Sequence, residues 1–385
     1  MESVLEPLSR AFEVVLFAVN HRGGGDAAPR AYEVRPNLLA GDNYGREQLP
    51  GLLEEVEPDV VLLHRDSTFF PMHRRALATY RARRPDARVV AYCPLDWSQV
   101  PPPLASADLL VLYTRSGLAA AKGAFAAAGL AAPPTAVIPH GVDRERFFPL
   151  PDVRMRLFPD RPELADAFIV LNANRNQTRK RVDLTLRGFS LFARERPDAW
   201  LYLHMGMRDL GCDVPALAAE LGIVDRLLVT TDGPSPPRVS DERLNLIYNA
   251  CDVGLNTATA EGWGLVSFEH AATGAAQVVP GHGACEELWR DRGLLLPTVT
   301  DERGRHTVTP EGVADALGAL HDDATLRTSW AERAHAYATS GRFGWDAIAR
   351  QWETELLRCL EGDGGADAAS PNSNRLATPR SVSLP

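Results

Sequence analysis

Short apolar runs alternate with amphipathic stretches along most of this chain. In the first 148 residues such runs fall at 12–19, 59–64, 88–92 and 109–113. Each is β-branched or leucine-rich and bounded by polar or proline-containing punctuation, which predicts strands. Near-continuous apolar strands between helices indicate a parallel sheet covered on both faces. The second half repeats the pattern, with strands expected at 168–172, 200–204, 226–230, 252–256 and 276–280. A helix is expected over 180–194, where Val182, Leu186, Phe189 and Ala193 recur at three- and four-residue spacing as one buried stripe. Ser240 is placed to cap a further helix bearing Leu244, Ile247, Tyr248 and Cys251.

This periodicity predicts an α/β protein of two Rossmann-like, doubly wound domains facing across a cleft, with ligands at the carboxyl ends of the strands. Prolines cluster from Pro149 to Pro162, which sets a first domain at 1–148, a linker at 149–165 and a second domain at 166–342. A last helix, within 343–361, carries Ile348, Trp352, Leu356 and Cys359 on one face and is expected to pack back onto the first domain. Beyond it, 362–385 has no periodicity and reads as a disordered tail.

Composition narrows the picture. At 385 residues, two domains are the default. With 45% hydrophobic and 24% charged residues the chain reads as an ordinary globular protein. No apolar run approaches the ~20 residues of a membrane-spanning helix. The first apolar run follows Glu2 and Glu6 rather than a basic segment, so no secretory signal is expected. Five scattered cysteines without a CxxC spacing indicate neither a zinc site nor a disulfide framework, and a cytoplasmic location is expected. A net charge of −9 argues against nucleic acid as a partner. The local exception is His73, Arg74, Arg75, Arg81, Arg83, Arg84 and Arg88. Two readings of it stand: a solvated helix face, or a patch for peripheral contact with anionic lipid headgroups or a charged acceptor.

Two segments carry candidate chemistry. In Glu261-Gly-Trp-Gly-Leu-Val-Ser-Phe-Glu269, glycines follow an apolar strand and open a helix. Such a start offers free N–H groups and a positive dipole end to a phosphate or diphosphate. Glu269 follows Gly262 by seven residues, about two helical turns, and should share the face that looks toward the helix start. The alternative is a loop glutamate and a buried glutamate satisfied by backbone groups. The second segment, Asn172-Ala-Asn-Arg-Asn-Gln-Thr-Arg-Lys-Arg181, places four cations where a strand gives way to a helix. There Arg175 and Lys180 can grip phosphate oxygens, one as a fork and one as a point charge, or the arginines pair with neighbouring carboxylates.

With Pro139-His-Gly-Val-Asp143 and Phe147-Phe-Pro149, these segments resemble the retaining glycosyltransferases of family 4, which have the GT-B fold. Glu261 and Glu269 meet the family's E-x7-E pattern, and Arg175 and Lys180 its Arg-x4-Lys pattern, within a resemblance spanning roughly 136–360. It implies a hexosyltransferase whose donor is a UDP- or GDP-sugar. Arg175 and Lys180 would bind the donor diphosphate, Glu261 the transferred sugar and Glu269 the ribose hydroxyls. The backbone of Gly264, Leu265 and Val266 would meet the distal phosphate. Neither cofactor nor metal is implied for transfer. The first half matches less closely: Gly24, in His21-Arg-Gly-Gly-Gly25, stands where a glycine-rich donor loop is expected. His64 and Asp96, each after a strand, are candidates for the acceptor side, and His204 reads as structural. The acceptor is open: a small molecule, a glycan or a lipid-linked sugar. Rivals are a phosphorylase or nucleotide-sugar epimerase on the same architecture, and a non-catalytic binding module.

Overall fold

The computed structural model describes residues 2–24, 29–94, 102–302, 304–362 and 380–384. The chain divides into two units, Met1–Gly141 with Trp345–Pro385, and Val142–Gly344.

In the first unit, helix α1 (Glu2–Leu8) precedes strands β1 (Phe12–Ala18) and β2 (Glu33–Pro36). Helix α2 (Leu49–Val56), β3 (Val60–His64), α3 (Arg74–Arg83) and β4 (Arg88–Tyr92) follow. Then come β5 (Leu109–Leu112), α4 (Arg115–Ala127) and β6 (Thr135–Val137). Strands β3 to β5 are almost wholly buried, as the apolar runs require when helices cover both faces of a sheet. The Thr114 hydroxyl caps α4 by accepting from the Gly117 N–H.

The second unit begins at Val142, so the segment 149–165 expected as a linker lies inside it. Residues 149–165 contain the short helix α5 (Arg154–Leu157). Arg154 donates to the carbonyls of Ala165, Ala167 and Ala250 and pairs with Asp252 at 2.6 Å. One guanidinium thus ties the segment to the body of the unit. Next come β7 (Phe168–Asn172), α6 (Val182–Phe192), β8 (Ala199–Leu203), α7 (Val214–Leu221) and β9 (Leu227–Val229). The chain continues through α8 (Asp241–Ala250), β10 (Val253–Leu255), α9 (Leu265–Ala272), β11 (Ala276–Pro280), α10 (Gly283–Trp289) and β12 (Leu294–Leu296). An antiparallel hairpin of β13 (Thr298–Thr300) and β14 (His306–Val308) leads to α11 (Pro310–Asp322) and α12 (Ala324–Ala338). The helix expected at 180–194 starts later, because Arg181 has left-handed φ 49° and interrupts it. The Arg181 guanidinium is held by Asp183 and the Thr307 hydroxyl. Ser240 caps α8 by accepting from the Arg243 N–H.

The sheet order in this unit is β12-β11-β10-β7-β8-β9, all parallel. Successive strands run outward from β7 on one side and from β10 on the other. The order therefore reverses between β7 and β10, the point at whose carboxyl ends doubly wound sheets place their ligands.

The chain then returns to the first unit with α13 (Trp345–Glu361), whose buried Trp352 meets Tyr92 edge-on at 4.8 Å. Of the tail expected to be disordered, Arg380–Leu384 instead forms strand β15, parallel to β1 and β3. The first sheet reads β2-β1-β15-β3-β4-β5-β6, so its own reversal lies between β1 and β3. Among the described residues no helix is long and apolar enough to cross a membrane.

Candidate active site

The reversal point of the second unit collects the groups singled out in the sequence. At the end of β7 the Asn172 side-chain oxygen accepts from both N–H groups of Asn174, backbone and amide. This closes a tight turn and aims the Asn174 oxygen at Lys180, whose Nζ donates to it at 2.9 Å. The same ammonium forms an ion pair with Glu261, the two side chains being 9% and 7% exposed. Asn256, one residue past β10, donates to the same Glu261 oxygen at 3.0 Å, and Arg179 lies 3.6 Å from the other. Burial alone would raise the Glu261 carboxyl. The Lys180 and Arg179 charges, with the Lys180 and Asn256 hydrogen bonds, hold it below its ordinary value.

Gly264 caps α9 at φ 87°, a left-handed conformation favoured by glycine, and a β-carbon there would meet no atom within 4 Å. The helix start is therefore open, with Leu265 exposed and Val266 half-buried beside it. Because α9 begins only at Leu265, Glu269 lies about one turn into the helix rather than two. Glu261 belongs to the preceding loop. Glu269 accepts from the Tyr248 hydroxyl at 2.9 Å, and burial pushes its carboxyl up to about 7 although that hydrogen bond opposes the rise.

Arg175 is set apart from this cluster. Half-exposed, it forks onto both oxygens of Asp209. His204 is held by the Thr230 hydroxyl at 2.8 Å. In the motif around Asp143, its carboxylate accepts from the Glu145 and Arg146 N–H groups, and buried Phe147 packs on Tyr248 at 5.5 Å.

In the first unit His64, at the end of β3, meets the Tyr113 hydroxyl through Nε2 at 3.0 Å. Its ring lies 5.0 Å from that of Tyr92, whose hydroxyl is 3.1 Å from Nδ1 of His140. Burial pushes His64 down to about 4 and lowers His140 well below its ordinary value, so both imidazoles are neutral. His64 and Tyr113 line a cavity of about 740 Å3 at the carboxyl ends of β1 and β3. Gly24 is exposed at φ 81°. Its neighbour Arg22 donates to the Asn37 and Leu39 carbonyls and to Asn43, which ties the loop down. Gly25 and Asp96 lie outside the described residues.

Most of the basic segment is paired within its own unit. Arg81 binds Asp108, Arg83 binds Glu54, Arg84 binds Asp59, and Arg88 donates to the Cys359 carbonyl. Arg74 and Arg75 instead line a groove of about 620 Å3 with Leu53 and Met72. Among the described residues no group of three or more His, Cys, Asp or Glu side chains is arranged to hold a metal ion.

Sequence reasoning gave Asn174 and Asn256 no role and counted Arg179 only as one of four cations. The only available hint was that β7 and β10 both end in asparagine-containing turns, a residue type that bonds its own backbone two positions on.

No family model matches the chain. It is 30% identical over 240 residues to mannosylfructose-phosphate synthase of Agrobacterium fabrum, covering 59% of this chain and 47% of that protein. It is 28% identical over 250 residues to a GDP-mannose-dependent alpha-(1-6)-phosphatidylinositol monomannoside mannosyltransferase of Mycolicibacterium smegmatis, covering 65% of this chain and 59% of that one. A D-inositol 3-phosphate glycosyltransferase of Kineococcus radiotolerans is 29% identical over 333 residues, 81% of this chain and 69% of the relative. The chain thus spans about half the length of the first two relatives. Among solved structures, Anabaena HepE in complex with UDP-glucose superposes with a TM-score of 0.67 at 17% identity, covering 90% of this chain and 99% of that one. Sucrose-phosphate synthase from Thermosynechococcus elongatus gives 0.60 at 17% identity, covering 90% and 98%.

Proposed function

We propose that this chain, which belongs to the retaining glycosyltransferases of family 4 and has their GT-B fold, transfers a hexose from a UDP- or GDP-sugar to a hydroxyl acceptor. The observation that carries this reading is the buried Lys180–Glu261 pair, framed by Asn174 and Asn256, at the reversal point of the second sheet. A buried anion and cation held in one network beside an open helix start suit a ligand that is itself diphosphate at one end and polyhydroxyl at the other.

In this reading Lys180, the N–H groups of Gly264, Leu265 and Val266, and Arg175 on release from Asp209 receive the donor diphosphate. Negative charge grows on the leaving phosphate as the anomeric carbon becomes oxocarbenium-like, and preorganised cations and dipoles stabilise it without reorganising. Glu261 takes hydroxyls of the transferred sugar. Held by Lys180, Arg179 and Asn256, it is a poor nucleophile. Retention then follows from acceptor attack on the face the nucleotide leaves, rather than from a covalent intermediate. Glu269 takes the ribose hydroxyls, and no metal or other cofactor is required.

Residues 166–342 form the donor side, and 1–148 with the helix at 343–361 form the acceptor side. Free cysteines Cys93, Cys251 and Cys285 are buried with their thiols pushed up by burial, which suits a reducing cytoplasm. Peripheral contact with anionic headgroups falls to Arg74 and Arg75.

The test is a thermal-shift panel of nucleotides and nucleotide sugars, followed by turnover of the stabilising donor. A bound donor raises stability by RT ln(1 + [L]/Kd), so the matching nucleotide stands out. Sugar 1-phosphate that forms only with added inorganic phosphate would instead identify a phosphorylase, and an altered free nucleotide sugar an epimerase.

A further inference from the structure

The cavity in the first unit is lined by an arginine that forms no ion pair among the described residues. Arg65 follows β3 directly and is half-buried, and burial lowers its guanidinium from the ordinary value. Its side chain has no hydrogen-bond or ion-pair partner among the described residues. Asp42, whose charge acts on it, is already engaged: its carboxylate accepts from the N–H groups of Arg46, Glu47 and Gln48 at the start of α2. Asp66, the other charged residue lining the cavity, is exposed and solvated. Neighbouring His73 is buried and pushed down to about 4, and His64 is likewise neutral, so neither adds positive charge. A partly desolvated guanidinium is costly unless an anion meets it, and its planar fork matches phosphate or carboxylate.

The remaining walls suit a sugar or polyol. Tyr44 and Phe69 stack at 5.1 Å, and Tyr44 is 42% exposed, offering an aromatic face. Asn43, His64 and Tyr113 supply neutral polar groups. A cavity lined by aromatic rings with a few convergent polar groups and one cation is built for a small ligand.

We infer that this cavity binds the acceptor, and that the acceptor is a hydroxyl-rich molecule carrying one anionic group, a phosphate monoester or carboxylate, which Arg65 grips. The inference rests on the transferase reading for the word acceptor, but the binding it asserts does not. Arg65 is then a specificity determinant that takes no part in the chemistry.

The experiment is calorimetric titration of the full chain with hexose phosphates, inositol phosphates and hexuronates, each against its neutral parent, and with UDP and GDP as controls. At least one anionic member binds about 10- to 100-fold tighter than its parent, the range expected for a charged hydrogen bond in a partly buried site. Arg65→Ala removes that preference and Arg65→Lys keeps part of it, while nucleotide affinity stays unchanged in both. Whether phosphates or uronates win identifies the anion. No anionic member outbinding its parent, or an Arg65→Ala protein that keeps the preference, overturns the inference. Anionic binding that depends on Arg65, without consumption of any nucleotide sugar, would leave it standing and defeat the transferase reading instead. Transfer to neutral acceptors alone would do the reverse.

Discussion

Lys180 and Glu261 form a buried ion pair that joins the turn after β7 to the loop after β10. Removing one partner of such a pair strands the other charge. Lys180→Met should therefore cost stability, on the order of 2–4 kcal/mol, less than the full penalty because Arg179 and Asn256 still face Glu261. The double variant Lys180→Met, Glu261→Gln should recover most of that loss, since a neutral amide needs no counter-ion. Both proteins should be inactive toward the donor. Thermal melts read beside turnover check this. A double variant that melts with the single one would show that the charges are not coupled, and activity in either would remove the pair from the site.

If Glu269 takes the donor's ribose hydroxyls as proposed, donor binding should depend on pH. Burial raises its carboxyl to about 7 in the folded protein, against an ordinary 4.5. The folded state therefore binds the extra proton more readily than the unfolded one. This contribution to stability is complete below about 4.5 and is lost as pH rises through about 7. Ribose hydroxyls donate best to the ionised carboxylate, so nucleotide binding should displace that proton. Affinity should then be about tenfold weaker at pH 6 than at pH 8. Glu269→Gln should bind with a flat profile and melt without the matching pH dependence. Titrations in buffers of different ionisation enthalpy count the proton directly, and none released would refute this account.

Why some of this was readable and some not follows from the residues involved. Strands β3, β7 and β11 are near-continuous apolar runs because both faces of a parallel sheet are covered. By contrast β2 reads Glu-Val-Arg-Pro and β15 Arg-Ser-Val-Ser-Leu; each has at most half of the apolar pattern, and it is pairing with neighbours distant in sequence, β1 for β2 and both β1 and β3 for β15, that makes it a strand. Glu261 and Lys180 stood out because charges beside a strand end must be neutralised. The partners of Arg175 and Arg154 did not, since Asp209 is 34 positions away and Asp252 is 98. No local pattern encodes such pairings. Asn174 and Asn256 carry no charge and no period, so their convergence on Lys180 and Glu261 emerges only when β7 and β10 lie side by side.

Two glycines of the second unit should respond oppositely to alanine. At Gly264 a β-carbon meets nothing within 4 Å, so Gly264→Ala carries only the cost of left-handed φ, about 1–2 kcal/mol. The methyl would stand at the open start of α9, and nucleotide affinity should fall by more than stability does. At Gly254 a β-carbon would lie 2.4 Å from the Gln277 side-chain oxygen and 2.6 Å from Nδ1 of His270, in the packed sheet. Gly254→Ala should fail to accumulate as folded protein, as overpacked cores do. Soluble yield and melts separate the two.

Arg175 offers the sharpest separation of stability from binding. It is half-exposed, and its fork onto Asp209 is a surface pair of the kind worth about 0–1 kcal/mol. Arg175→Ala should therefore melt close to the parent. If the guanidinium leaves Asp209 for the donor diphosphate, the same change should weaken nucleotide-diphosphate binding about 10- to 100-fold, the worth of a charged hydrogen bond. Binding of the bare nucleoside should be untouched, because the lost contact is to phosphate. Asp209→Asn supplies the converse: it frees the fork without removing it, so diphosphate affinity should hold or rise. Calorimetry with UDP, UMP and uridine, or their guanosine counterparts, across the three proteins gives the answer. Equal losses for nucleoside and diphosphate would place Arg175 at the base rather than the phosphates, and no loss for either would leave it a surface residue bound to Asp209.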